Sequence, residues 1–227
     1  MGAGGAYTTW ISRSNAKINA IANKHPSKHV LHLQDTHNAL VFDKSFYWID
    51  TVVLFPYGSH NYTCICVTFQ IEGAEDQFIV SDYCSDNPDH PFRGISASNK
   101  EIRIWGAKNH DKSYLPIPHK TTRTEWTTLL VQWSTINSNE GSYILNNKKE
   151  LGTFICTTSI GVEVDGVSIG AKDGVLSQSL KGAISALEIY VARQTRENGV
   201  PDALQYLIIN SQLIKTKPPV KKKQKTL

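Results

Sequence analysis

The stretch Trp126-Thr127-Thr128-Leu129-Leu130-Val131-Gln132-Trp133-Ser134 decides the fold class. Leu129, Val131 and Trp133 recur at every second position, the period at which an extended chain sends side chains to one face. Thr128, Leu130, Gln132 and Ser134 fall on the other. The segment therefore reads as a strand with one face in the core and the other mostly wet. Tyr143-Ile144-Leu145 follows and runs into Asn146-Asn147-Lys148, and asparagine tolerates positive φ in tight turns, so a hairpin is expected there.

Working outward, short β-branched and aromatic runs punctuated by Gly, Asn, Asp and Pro extend on both sides. The expected strands are Val30–Leu33, Ala39–Phe42, Tyr47–Leu54, Tyr62–Gln70, Gln77–Asp82, Gly94–Ala97, Glu101–Trp105, Leu115–Ile117, Thr127–Trp133, Gly141–Leu145, Thr153–Cys156, Val167–Ile169 and Ala183–Val191. Many short strands with almost no long helix indicate an all-β, antiparallel two-sheet sandwich or barrel. Two short helices flank it. Ser14 to Asn23 spaces Ile18 and Ile21 at helical distance and Pro26 closes the segment. Near the other end, Pro201 suits a first turn, and Leu204, Leu207 and Ile208 have amphipathic-helix spacing. This gives an N-terminal extension over 1–29, a sandwich over 30–213 and a disordered Lys-rich tail over 214–227.

At 227 residues, with 40% hydrophobic and 19% charged residues, the chain can bury a sizeable core, which excludes global disorder and coiled-coil or collagen-like classes. No window approaches the ~18 consecutive apolar residues of a membrane span, so no membrane insertion is expected. Met1 to Tyr7 lacks the charged flank and apolar run of a signal peptide. The net charge of +4 misleads, because Lys215, Lys217, Lys221, Lys222, Lys223 and Lys225 all lie in the last 13 residues. Subtracting those six charges from +4 leaves −2 for the body. A folded nucleic-acid-binding surface would carry its basic residues itself, so nucleic acid is expected only at the tail. Cys64, Cys66, Cys84 and Cys156 are too few and too scattered for a disulfide-built fold. Cys64 and Cys66, two apart in a strand, share a face and cannot easily bond to each other. Buried free thiols are the first reading, and a bridge from Cys84 or Cys156 to that strand is the alternative. Asn61-Tyr62-Thr63 is a glycosylation sequon, a pattern also frequent by chance.

Segments in order along the chain resemble the concanavalin A-like jelly roll, and within it the laminin G-like and pentraxin-like branch. Trp126 to Trp133 is similar to that family's Trp-led strand. Gly141-Ser-Tyr-Ile-Leu-Asn-Asn147 is similar to its "small-x-aromatic-x-x-Asn-Gly" hairpin, with Asn147 in place of the glycine. Val167-Ser-Ile-Gly170 and Lys181-Gly-Ala-Ile-Ser-Ala-Leu-Glu-Ile-Tyr190 resemble its later strands. The resemblance covers Tyr47 to Leu213 and implies a jelly-roll sandwich. Trp126, Trp133, Ile169, Ile184, Leu187 and Tyr190 read as core residues. The fold hosts lectins, glycosidases, adhesion modules and structural domains, so function must be argued from a site.

A glycosidase of this fold would need Glu-x-Asp-x-(x)-Glu, because retaining hydrolysis uses two carboxyl groups ~5 Å apart. Glu163-Val164-Asp165 supplies the first half, but Val167 and Ser168 stand where the second Glu belongs. No enzyme is expected, and no nucleophile signature surrounds Cys84 or any serine. His25, His29, His32 and His37 have spacings that match no known metal site. The resemblance implies that calcium could be held at a sandwich rim, and Asp82, Asp86 and Asp89 are the candidate carboxylates, in a stretch that is also what an ordinary Asp- and Pro-rich turn looks like. Trp105, His110 and Tyr114 are the candidate ligand-binding platform.

Pro218-Pro-Val-Lys-Lys-Lys-Gln-Lys225 resembles a short nuclear-import signal or an anion-binding arm, carried by Lys221, Lys222, Lys223 and Lys225, with a solubilising end as the plain alternative. Two function classes follow. The first is a non-enzymatic recognition module that binds a glycan or protein partner by its loops, within a larger extracellular, cell-surface or viral attachment protein. The second is a structural or assembly domain of a virus or mobile element, a homo-oligomer whose basic tail touches nucleic acid and which is intracellular or viral.

Overall fold

The structure is a computed structural model and describes residues 9–11, 19–22, 31–34, 37–43, 46–49, 61–83, 93–109, 112–122, 124–134, 140–146, 150–156, 166–172 and 178–193. These form fifteen strands, with no α-helix among the described residues. Sheet A takes the order β1 (Thr9–Ile11), β2 (Asn19–Ala22), β5 (Tyr47–Ile49), β14 (Gly166–Ile169), β7 (Gln77–Tyr83), β8 (Gly94–Ala97) and β9 (Glu101–Asn109), with β10 (Lys112–Pro118) also on β9. Sheet B takes the order β13 (Glu150–Cys156), β12 (Glu140–Leu145), β11 (Thr127–Ser134), β6 (Asn61–Ile71), β15 (Lys181–Arg193), β4 (His37–Asp43) and β3 (Leu31–Gln34). Every pairing is antiparallel.

Strand alternation builds the core. Ile65, Val67, Phe69 and Ile71 on β6 and Leu129, Val131 and Trp133 on β11 are all at most 2% exposed. They share one cluster with Val80, Ile95, Ile102 and Ile104 of sheet A, so a single apolar layer lies between the two sheets. Trp133, Ile169 and Ile184 are buried as expected, Leu187 packs at the margin and Trp126 is half-buried. The hairpin turn expected after Leu145 places Asn146 at φ 46°, where its side-chain Oδ1 accepts from the Thr128 amide at 3.0 Å.

β9 joins the sheets. Its residues up to Trp105 pair with β8 and β10, Ala107 and Lys108 pair with Cys156 and Ile155 of β13, and Asn109 pairs again with Lys112 of β10. The turn between these two memberships is Gly106, at φ +77°. A Cβ there would stand 2.4 Å from Cγ of Arg93, so glycine is required both by the backbone and by the packed arginine.

Two expectations change. The helix expected over Ser14–Asn23 gives way at Asn19–Ala22, which is strand β2, with Ile21 opposite both Thr9 and Trp48. A three-residue Ile spacing fits a helix, but this segment gains backbone hydrogen-bond partners on both sides by joining a sheet. The second change is the far side of β11. Leu130 is 3% exposed and clusters with Cys64, Cys66 and Ile144, so that face is apolar and covered where a wet face was expected. The expected helix at Pro201–Leu213 and the Lys-rich tail lie outside the described residues.

Candidate functional site

Alternation along β9 sends Ile102 and Ile104 inward and Glu101, Arg103 and Trp105 to the outer face of sheet A. Register brings further side chains to that face. Tyr114 on β10 stands opposite Trp105, while Ser96 and Phe78 lie in the row of Arg103. The Trp105 ring is 4.7 Å from the Tyr114 ring and 5.5 Å from that of Phe78, centroid to centroid. Phe78 is 1% exposed and forms the floor, and Trp105 and Tyr114 are half-buried.

Polar contacts fix this ladder. Trp105 Nε1 donates to Ser96 Oγ at 2.9 Å, and that hydroxyl donates to the Asp76 carboxylate, 2.9 and 3.1 Å from its two oxygens. Arg103 Nη1 donates to Asp76 Oδ2 at 2.9 Å and Arg103 Nε to Glu101 Oε1 at 2.6 Å. The guanidinium carbon lies 4.9 Å from the Tyr114 centroid and the exposed Lys112 ammonium 5.4 Å, both within cation–π range. Burial works against the Arg103 charge, but the hydrogen bond to Glu101 and the fields of Asp76, Tyr114 and Glu101 outweigh it and raise its pKa. The result is a preorganised aromatic surface edged by fixed donors and acceptors.

Of the expected platform residues, Trp105 and Tyr114 are thus brought together. His110 falls between β9 and β10 in sequence, outside the described residues. Phe78, Asp76, Ser96, Arg103 and Lys112 are site residues that sequence reasoning missed. The available signal was the Glu101-x-Arg103-x-Trp105 alternation, which sets two polar residues on the same face as the tryptophan.

Asp82, the last residue of the strand expected over Gln77–Asp82, lies within β7 at 2% exposure. Its Oδ2 accepts from the Arg93 amide at 2.9 Å, and Asp82 and Arg93 also share a backbone hydrogen bond of 2.9 Å. Arg93 is itself 2% exposed; burial lowers its pKa and the fields of Asp82 and Cys156 oppose the fall. Asp86 and Asp89 lie outside the described residues, and among the described residues no three His, Cys, Asp or Glu side chains group as a metal site. Glu163 and Asp165 are likewise outside, while Val167 and Ser168 are fully buried in β14. Cys64, Cys66 and Cys156 are buried, and burial pushes the Cys64 and Cys66 thiols up to about 12, which disfavours their thiolate forms.

No family model matches the sequence, and no curated protein is similar to it. Solved structures are similar in shape. A Trypanosoma rangeli sialidase in complex with sialic acid matches over 93% of this chain and 32% of its own, at 11% identity and a TM-score of 0.59. The CBM40 of a Ruminococcus gnavus IT-sialidase, bound to α2,3-sialyllactose, covers 67% of this chain and 83% of its own at 15% identity and 0.48. A heptameric SAP-like pentraxin from Limulus polyphemus covers 60% and 67% at 16% identity and 0.43. The likeness is one of fold: an antiparallel, two-sheet jelly-roll sandwich.

Proposed function

We propose that this chain is a non-catalytic recognition module that binds a glycan on the outer face of sheet A, with Trp105, Tyr114 and His110 as its contact residues. The observation that carries the reading is the half-buried Trp105–Tyr114 pair, 4.7 Å apart and braced by Ser96, Asp76 and Arg103. Sugar rings present C–H faces that pack on aromatic rings and hydroxyls that pair with fixed donors and acceptors, and this surface offers both. It is rigid before a ligand arrives, which lowers the ordering cost of binding. The part of the T. rangeli sialidase that this chain matches, in a protein solved with sialic acid, is about a third of that longer chain. A recognition sandwich within a larger attachment protein is the setting proposed here.

A glycan array with the full chain tests this, followed by calorimetry on the best ligand. Trp105→Ala and Tyr114→Ala should each weaken binding by about tenfold or more, the equivalent of about 1.4 kcal/mol. Gln132→Ala, in sheet B, should leave it unchanged. Glycan binding indifferent to both aromatic changes would refute the site. Capture of a protein partner with no glycan binding would refute the ligand class, and turnover of a bound glycan would refute the non-catalytic role.

A further inference from the structure

One guanidinium beside the Trp105–Tyr114 pair holds two carboxylates. Arg103 gives Nη1 to Asp76 and Nε to Glu101, at 2.9 and 2.6 Å. The Arg103, Asp76 and Glu101 side chains are 26%, 18% and 29% exposed, partly out of water, where charges act on one another more strongly than at an open surface. The cation that borders the Tyr114 ring, 4.9 Å from its centroid, is thus already matched. Lys112 lies 5.4 Å from the same centroid but is exposed, and water leaves such an ammonium little strength in a charge pair. Hydrogen-bonding capacity is equally one-sided. Trp105 Nε1 is committed to Ser96, and the Ser96 hydroxyl proton to Asp76. An ionised carboxylate has about four lone-pair sites, so Asp76 and Glu101 can accept further protons. A sugar hydroxyl can donate to them. A carboxylate or sulfate can only accept, and it brings a like charge.

We infer, resting on the glycan reading above, that Asp76 and Glu101 set the ligand class: the platform takes an uncharged sugar residue and rejects one that bears a carboxylate or sulfate. A neutral sugar lays its C–H face on Trp105 and Tyr114 and donates hydroxyl protons to the two carboxylates, with the Arg103 pairs left intact. An acidic sugar that approaches Arg103 meets both carboxylates at the same place. It must either stand beside them as a like charge or displace one of them, which leaves a partly buried carboxylate without its partner. Discrimination here comes from the repulsive element as much as from the attractive one. Arg103 then acts as the brace that holds the two acceptors in place, and not as the anion receptor that an arginine beside an aromatic ring would otherwise suggest.

Matched pairs on a glycan array test the inference: glycans ending in glucose or galactose beside the same glycans ending in glucuronate, sulfated galactose or sialic acid. The full-length chain is used with Lys215→Gln, Lys217→Gln, Lys221→Gln, Lys222→Gln, Lys223→Gln and Lys225→Gln, so that the tail adds no anion affinity of its own. Neutral members should bind about tenfold or more tightly than their acidic partners. Adding Asp76→Asn with Glu101→Gln keeps an acceptor oxygen at each position and removes both negative charges, and it should shrink that preference by about tenfold. Should the double variant lose its β signal in far-ultraviolet dichroism, the preference of the chain with both carboxylates decides alone. Acidic members bound as well as or better than neutral ones would overturn the inference and leave the glycan reading standing. A neutral preference that persists undiminished in the folded double variant would also overturn it, because the carboxylates would then not be the selector. Binding of no member at all would overturn the glycan reading, and the inference with it.

Discussion

Gly106→Ala should be among the most damaging single-methyl additions in the chain, and the structure separates its two costs. At φ +77° an L-residue is strained by about 1–3 kcal/mol. The new Cβ would also stand 2.4 Å from Arg93 Cγ and 2.9 Å from Cδ. Arg93 cannot yield cheaply, because at 2% exposure it is enclosed and its backbone is tied to Asp82. Overpacking of that kind adds about 1–3 kcal/mol. Gly73→Ala isolates the first cost. Its φ is +109°, but its Cβ would meet only Gln77 Nε2 at 3.3 Å, in an exposed turn. Guanidinium unfolding of both variants should show Gly106→Ala less stable than Gly73→Ala by about 1–3 kcal/mol, at equal denaturant slopes. Near-ultraviolet dichroism should change only for Gly106→Ala, because Trp105 precedes the bend. Equal destabilisation would mean that β9 does not turn the corner against Arg93, and the path from sheet A to sheet B would be wrong.

Trp133→Ala should cost about 3–5 kcal/mol, because the ring is 1% exposed, sits edge-on to Phe154 at 6.5 Å and donates Nε1 to the Trp105 carbonyl at 2.9 Å. Gln132→Ala on the opposite face should be near neutral, and similar midpoints for the two would show the faces exchanged. Glu188 carries a pH signature of defined sign: burial raises its folded pKa above the ordinary 4.5, so the folded chain holds that proton more tightly than the unfolded one. Its contribution is greatest below pH 4.5 and is lost as pH rises through the folded value, so Glu188→Gln should flatten the melting temperature across that window; a profile unchanged by the substitution would show the carboxyl to be solvated. Deleting residues after Leu213 should abolish heparin binding and change stability by less than about 1 kcal/mol. Heparin binding that survives would place a basic surface on the sandwich.

Much of the sheet was legible because its signal is local. Along β11 the period of two is unbroken, and Asn146 announced its turn by side-chain chemistry alone. What was illegible depends on partners distant in sequence. The strand read as Glu101–Trp105 continues to Asn109, since Gly106 marks a bend between two sheets and not an end. Asn19–Ala22 has no strand signal of its own and becomes one only beside β1 and β5. Leu130 belongs by period to the wet face, and no local rule could say that Cys66 and Ile144 would stand on either side of it. The site shows the same division. Trp105 and Tyr114 were visible as aromatics, but Arg103 looked like an ordinary solvated strand charge until register set it between Asp76 and Tyr114.

That register bears on how the chain distinguishes ligands. Arg103 is matched by Asp76 at 2.9 Å and Glu101 at 2.6 Å, and Lys112 adds the second positive charge, so among the described residues two cations and two carboxylates balance at the platform. Recognition there must come from ring packing and hydrogen bonds, which salt screens weakly, and not from attraction at a distance. The six C-terminal lysines are the opposite case. Any affinity they give to a polyanion arises from counterion release and falls steeply with salt. Ionic strength can therefore separate the proposed glycan platform from the proposed polyanion-binding tail. Glycan binding should persist between 50 and 200 mM salt, roughly the interval over which multi-phosphate contacts lose orders of magnitude in affinity, while tail-borne binding should collapse. Glycan affinity that collapsed in parallel would show that the lysines, and not Trp105 and Tyr114, hold the ligand.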